Sequence, residues 1–362
     1  EKLFKNGEYT EAQKLYSNLV ALYPKEPVYN YRYGACILYS EPEKSQAIKY
    51  LNFAAATSES PVEAYYFAGL GYHYNYRFVE ALKYYTKFQS NAKNRDLKKY
   101  PVERQIRMAE NGKQLMKNIS EPQVKNQTQT STADFHLSYS ALGSDHKFLR
   151  MLSEFRTKTD EDRNYYGLMY KHAEHDEIWF ASYGNDEDSG TDLYKVRINE
   201  DGSFQKPQKL PAAVNSRYDD AYPFFNYTTQ TLYFASKGHS SMGGFDLFQI
   251  AYDPDTDTWG TAQNMDFAFN TPDNDFLYAE NENTAFFTSS RNNNQDRVTV
   301  YEIHPAQKAL KSALIAGTFN RELYNKVEIT VTKLPENEIT GTFESDEKTG
   351  RYTIVLPGNS KY

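Results

Sequence analysis

The chain has 362 residues, which at about 150 per domain allows two or three domains; 41 Lys+Arg against 48 Asp+Glu leave a formal net charge of −7. That balance argues against nucleic-acid and anionic-membrane partners, which require a basic surface. No run of about 18 apolar residues predicts a transmembrane helix. The single cysteine, Cys36, excludes an internal disulfide and a multi-thiolate metal centre, and 32 Tyr with 22 Phe exclude disorder for the chain as a whole.

The first region reads as helices. Gly7-Glu8-Tyr9-Thr10-Glu11-Ala12 leads to Tyr16, Leu19 and Pro24; later come Ala47, Leu51 and Ala54, then Ala81, Tyr85 and Phe88. The anchors Ala12, Ala47 and Ala81 lie 35 and 34 residues apart, and Gly34 and Gly69 precede the last two by 13 and 12. Small residues belong where helices cross closely, aromatics fill the gaps, and Pro24, Pro27 and Pro61 separate the units. The pattern resembles the tetratricopeptide repeat and predicts an α-solenoid over residues 1–118, capped by a helix near Tyr100–Lys117. Cys36 sits in the helical pattern as a small core residue. The first unit lacks most of its first helix, so an earlier start is expected for the natural protein. Residues 119–133, polar and rich in Thr and Gln, are expected to be a linker. Charge changes there: residues 1–120 hold 18 Lys+Arg and 12 Asp+Glu, the rest 23 and 36.

A second repeat follows. Ile178-Trp179-Phe180-Ala181-Ser182 is echoed by Leu232-Tyr233-Phe234-Ala235-Ser236 and more weakly by Ala285-Phe286-Phe287-Thr288-Ser289, with serines 54 and 53 apart. Asp192-Leu193-Tyr194 and Asp246-Leu247-Phe248 begin ten residues beyond the first two serines. Val214-Asn215-Ser216 with Asp219-Asp220 matches Phe269-Asn270-Thr271 with Asn274-Asp275. Alternating strands joined by Gly/Asn/Asp/Ser turns at this period read as blades. The unit with Pro223, Ser236 and Gly243-Gly244-Phe245-Asp246-Leu247-Phe248 resembles the WD-like propeller repeats of bacterial envelope proteins, implying β-propeller blades over 134–312: three, with part of a fourth near His136–Leu152. The third unit departs in carrying Thr299 where the aspartate is expected. Beyond residue 313, three alternating strands and Thr349-Gly350-Arg351-Tyr352 resemble a carboxypeptidase regulatory-like β-sandwich, incomplete at Tyr362. The expected fold class is therefore multidomain α + β.

No nucleophile elbow, P-loop or dinucleotide fingerprint is present. His172 and His175 are three apart, but read as a solvated turn without a third ligand. Asp253-Pro254-Asp255-Thr256-Asp257 spaces oxygens like a calcium loop, yet has Thr258 and Asn264 where that loop needs Gly and Glu. The acidic stretch Asn185–Asp192 shows no ligand spacing. Asp192 and Asp246 recur with the repeat, which favours turn-locking over catalysis. Neither cofactor nor metal is expected. Tyr218, Asp219, Asp220 and Tyr222 are candidates for a partner-binding loop. Carried over from the tetratricopeptide pattern, Val28, Tyr31, Ala35, Leu38, Glu63, Tyr66, Leu70 and His73 would line a groove suited to an extended or acidic peptide near Arg32 and Arg77.

The order of these modules resembles a Bacteroidetes envelope family of the PorE type, associated with type IX secretion and gliding. The resemblance implies a non-catalytic periplasmic scaffold beneath the outer membrane. Its partners would be PorP/SprF-like outer-membrane barrels or secretion components, with peptidoglycan held by an OmpA-like domain that these residues do not include. A propeller hydrolase and a calcium- or glycan-dependent adhesion module are the alternatives.

Overall fold

The computed structural model describes residues 1–117, 123–185, 190–294, 296–305, 312–319, 327–335, 338–345, 350–357 and 362. The chain divides into two compact units, Glu1–Pro305 and Ala306–Tyr362, so the helices and sheets expected as separate domains share one unit.

The helices are α1 (Lys2–Lys5), α2 (Tyr9–Leu22), α3 (Pro27–Ser40), α4 (Ala47–Ala56), α5 (Glu63–Tyr74), α6 (Phe78–Asn91), α7 (Asn94–Lys99) and α8 (Val102–Leu115). Pro27 opens α3, where its missing N–H forfeits no helical bond, and the Glu26 carboxylate accepts from the Val28 N–H at 3.4 Å. α2 packs on α3, α3 on α4 and α5, and α6 on α5 and α8. Ala12, Ala47, Ala54 and Ala81 are buried, as a pattern of small residues at crossings requires. Gly69 marks a tight approach: a Cβ there would come under 3.0 Å from the Tyr85 ring.

These helices do not form the expected tetratricopeptide solenoid. α1 is a single turn, and α7 is a short segment before α8 crosses back onto α6. α5 is the centre of the region; apart from Tyr65, every residue from Ala64 to His73 is buried. The C-terminal end of α5 meets the Met242 turn, where a solenoid would keep an open concave face. His73 Nε2 donates to the Met242 carbonyl at 2.7 Å, since a carbonyl can only accept.

The linker expected over 119–133 is also corrected. Residues 119–122 lie outside the described residues, and β1 (Val124–Ser131) follows. β1 is an exposed edge strand held by backbone bonds, so it needs no apolar alternation, and composition alone therefore misses it.

The first sheet contains β2 (His146–Arg150), then, after α9 (Lys158–Asp162), β3 (Leu168–His172), β4 (Glu177–Ser182), β5 (Asp192–Arg197) and β6 (Gln208–Lys209), in chain order. The second holds β7 (Asp220–Asn226), β8 (Thr231–Ser236) and β9 (Asp246–Asp253), with β10 (Thr258–Trp259) and β11 (Gln263–Asn264) both on β9. The third holds β12 (Asp275–Glu280), β13 (Ala285–Ser289) and β14 (Arg297–Ile303), with β1 paired to β14 from Val124↔Ile303 to Ser131↔Arg297. Every pairing is antiparallel. The partial fourth blade expected near His136–Leu152 does not exist; β2 belongs to the first sheet.

One aromatic core joins the sheets. Trp179 of β4 stacks on Phe225 of β7 with centroids 4.7 Å apart, and Tyr233 of β8 meets Tyr278 of β12 at 4.6 Å. Between the third and first sheets lies the 3-10 segment Phe135–Leu142. Its Tyr139 ring is 5.4 Å from Phe148 and 5.6 Å from Phe286, and its hydroxyl bonds the Leu277 carbonyl and Thr288 Oγ1. Among the described residues the sheets close neither a barrel nor a propeller, which corrects that expectation. The reason is visible in this segment: a turn, and not a further sheet, fills the remaining side of the core.

In the second unit β15 (Ser312–Thr318) pairs with β18 (Arg351–Pro357), and β16 (Glu328–Lys333) with β17 (Glu338–Glu344). Two-stranded ladders replace the expected sandwich among the described residues. Ile354 is buried, while Ile315 and Ile339 are exposed. Residues 346–349, which include Thr349 of the expected turn, lie outside the described residues.

Candidate functional site

The repeated serines and aspartates form braces. Ser182 Oγ donates to Asp160 at 2.6 Å and Ser289 Oγ to Asp275 at 2.5 Å; Ser236 bonds Asp220 in the same way. Each serine oxygen also accepts a backbone N–H two residues on: Gly184 and Gly238 at 2.9 Å, Arg291 at 3.1 Å. Asp220 accepts from Ser216 N at 2.6 Å, and Asp275 from Thr271 N at 2.6 Å. Asp246 accepts from Met242 N and Gly243 N at 2.9 and 3.0 Å, whereas Asp192 pairs with Lys209 at 2.6 Å. Asn215 and Asn270 complete the pattern, each bonding both N–H and C=O of Leu193 and Leu247. These side chains are occupied in holding one turn to the next strand. Burial pushes the Asp220 carboxyl up to about 7 and that of Asp246 up to about 8, against the hydrogen bonds that favour their charge.

The residues predicted for the groove are mostly core. Tyr31, Ala35, Leu38, Tyr66, Leu70 and His73 are buried, while Val28 and Glu63 are half-buried. Tyr31 stacks near Phe67 at 5.9 Å and Tyr66 packs against Tyr100 at 4.8 Å. They meet one another as helix packing and do not form an open surface. Cys36 is fully buried, and desolvation pushes its thiol up to about 12.

The loop candidates separate. Asp220 is a brace, as above. Tyr222, at φ +55°, sits at a strand irregularity among Phe135, Phe245 and Phe276. It lines a hollow of about 210 Å³ with His136, Arg150 and Tyr165. Asp219 accepts from Lys237 at 2.8 Å and Thr191 N at 3.1 Å; burial raises its carboxyl, but these bonds and Arg104 outweigh it and hold the group low.

Tyr218 stands at the mouth of a cleft between the helices and the sheets. The polar face of α8 supplies one wall, because Arg104, Arg107 and Asn111 fall on successive turns. Arg104 Nη2 donates to the Lys237 carbonyl at 2.9 Å, Asn111 Nδ2 to the Ser241 carbonyl at 3.0 Å, and Arg107 Nη2 to the Tyr218 hydroxyl at 3.4 Å. The Tyr218 ring lies between two further cations: Arg104 Cζ is 4.9 Å from its centroid and Arg217 Cζ 5.1 Å. On one side of this cluster is a hollow of about 600 Å³ bordered by Lys98, Arg104, Arg107 and Arg217, with Glu103 as its one acidic lining residue. On the other is a hollow of about 380 Å³ reaching Lys237 and Ser241, with Glu110 at its edge. Lys44 and Asp273 add a helix-to-sheet ion pair at 2.8 Å. Sequence reasoning took α8 as a cap and missed this cluster. The signal was there in the spacing of Arg104, Arg107 and Asn111, but nothing in the sequence says that Tyr218 lies opposite.

No metal centre emerges: among the described residues no group of three His, Cys, Asp or Glu is placed to hold an ion. His175 stacks on Tyr227 at 3.5 Å, Asp253 accepts from Asp255 N, and Asp257 accepts from the Tyr252 hydroxyl. Residues 186–189 of the acidic stretch lie outside the described residues. Among the described residues no helix is long and apolar enough to cross a membrane. Compared with family models, curated proteins and solved structures, the chain matches none of them.

Proposed function

We propose that this chain is a non-catalytic scaffold of a bacterial cell envelope, holding protein partners on the periplasmic side of an outer membrane in the manner of the PorE-type family that its sequence resembles. Type IX secretion or gliding components, including PorP/SprF-like barrels, are the partners this reading names. A peptidoglycan anchor would belong to a further domain of such a protein. The observation that carries the reading is the cleft at the helix–sheet seam, whose walls come from α8 and from the loops before β7 and after β8. One buried and two part-buried ties join the helices to the sheet loops and brace those walls, which suits recognition of a partner's surface. The repeated carboxylates support it too, since they are engaged in bracing turns.

Cross-linking followed by affinity purification from an envelope extract, with the full chain as bait, tests this. The expected result is reproducible recovery of an outer-membrane or secretion component. Recovery of cytoplasmic proteins alone, or turnover of a small compound by the purified chain, overturns it.

A further inference from the structure

We propose that the seam cleft docks an acidic, extended peptide segment of a partner protein; the inference rests on the scaffold reading and specifies the chemistry its partner presents. Arg104, Arg107 and Arg217 converge on Tyr218, and none of them forms an ion pair with a carboxylate among the described residues. Asp219, next in sequence to Tyr218, pairs with Lys237 while also feeling Arg104, and Glu103 and Glu110 line the hollows without an ion pair to these arginines. Three guanidinium groups gathered with no ion pair among the described residues leave donor forks and positive charge that an anion would complete, in a chain whose net charge is −7. Arginine forks match carboxylates in a way that point charges do not.

The shape argues for a chain and not a small ion. The two hollows run beside α7 and α8 from Lys98 to Asn111, with the Tyr218 cluster between them. Along α8 alone, the nine helical steps from Val102 to Asn111 at about 1.5 Å make a track of roughly 13 Å, the span of about four extended residues, and α7 with Pro101 lengthens it. Leu97, Pro101 and the Tyr218 ring give that track an apolar side, so the segment would alternate acids with an aromatic or aliphatic residue. The cations line a recess in an acidic molecule, which disfavours a flat membrane or a nucleic-acid duplex.

The test is fluorescence anisotropy of the full chain with a labelled peptide, Asp-Glu-Phe-Asp-Glu-Leu-Asp-Glu, at about 0.15 M salt. Binding should weaken with added salt and fall at least ~10-fold in Arg107→Glu/Arg217→Glu, whose two side chains are exposed; circular dichroism verifies that the variant is folded. A peptide with Lys in place of the acids should not bind, and Lys147→Glu, remote from the cleft, should bind as wild type does. Equal binding by the double variant, or equal binding of the chain to phosphatidylglycerol vesicles or a DNA duplex, overturns the proposal. If the peptide fails while envelope partners are still cross-linked, the scaffold reading stands and the cleft assignment falls. If the peptide binds but no envelope partner is recovered, the reverse holds.

Discussion

Ser289, Asp275 and Arg291 show how a single side chain can hold two turns together. Asp275 is fully buried and takes the serine hydroxyl, the Thr271 N–H and hydroxyl, and the Arg291 guanidinium at 2.7 Å. Arg291 in turn donates to the Ala268 and Phe269 carbonyls. Asp275→Ala would leave these donors without their acceptor and a guanidinium without its partner charge. Urea unfolding should register a loss of about 3–5 kcal/mol, the range for breaking a buried pair from one side. Asp220 and Asp246 are braces whose charge burial disfavours. Burial lifts their carboxyls to about 7 and about 8, so the stability they contribute is present below the ordinary carboxylate range and is lost as pH rises through those values. The sequence made the serine repeat plain at spacings of 54 and 53, and made Asp192 and Asp246 recur. It did not reveal that the serines' acceptors are Asp160, Asp220 and Asp275, because those partners lie between 14 and 22 residues upstream, on the paired strand for Asp220 and Asp275 and in α9 for Asp160.

At the scale of the element, α5 and β1 sit at opposite extremes. α5 is buried almost all round, and its two glycines admit neighbours that no side chain would allow: a Cβ on Gly69 meets Tyr85, and one on Gly71 meets Leu51. Gly69→Ala should therefore destabilise the protein by about 1–3 kcal/mol in chemical unfolding, despite alanine's better helix propensity, because the Tyr85 ring lies within a packed core. An unchanged or raised midpoint would show that Tyr85 can move aside. β1 has no such packing and is held by its ladder to β14. Helix packing was legible from Ala47, Ala81, Gly34 and Gly69, since small residues recurring among aromatics encode close crossings. The strand was not legible, since Val-Lys-Asn-Gln-Thr-Gln-Thr-Ser carries no burial pattern and its place depends on a partner more than 160 residues away.

For the whole molecule the seam between helices and sheets matters most. His73 is 3% exposed, edge-on to Phe78 at 5.0 Å, with Nε2–H on the Met242 carbonyl and Nδ1 buried without a hydrogen-bond partner. Desolvation lowers its pKa to about 4 from the usual 6.5. Between those values the unfolded chain binds a proton that the folded one does not, so this contribution is present above pH 6.5 and is lost as pH falls toward 4, by up to about 3 kcal/mol. Urea titrations at pH 7 and pH 5 on wild type and His73→Gln isolate it: the variant should lack this part of the acid sensitivity, while the carboxyl contributions, of opposite sign, remain in both. An identical pH dependence in the two proteins would refute the assignment. The same seam closes off one of the expected groove residues, His73, under the Met242 turn, while Tyr31 and Tyr66 are closed off by packing between helices.

What the sequence determined alone is local and periodic: helices then strands, the positions of the small residues, the serine and asparagine repeats, and a charge change after residue 120. Those features follow from short-range sterics and from the alternation of apolar and polar side chains, which any chain displays before it folds. The tertiary structure decided how the repeats are joined: that helices and sheets form one unit, that a tyrosine-bearing 3-10 segment fills one side of the sheet core, and that Arg104, Arg107, Arg217 and Tyr218 meet. His73 and Met242, Tyr139 and Leu277, and Arg107 and Tyr218 each lie more than a hundred positions apart, and no period in the sequence can record which faces come together.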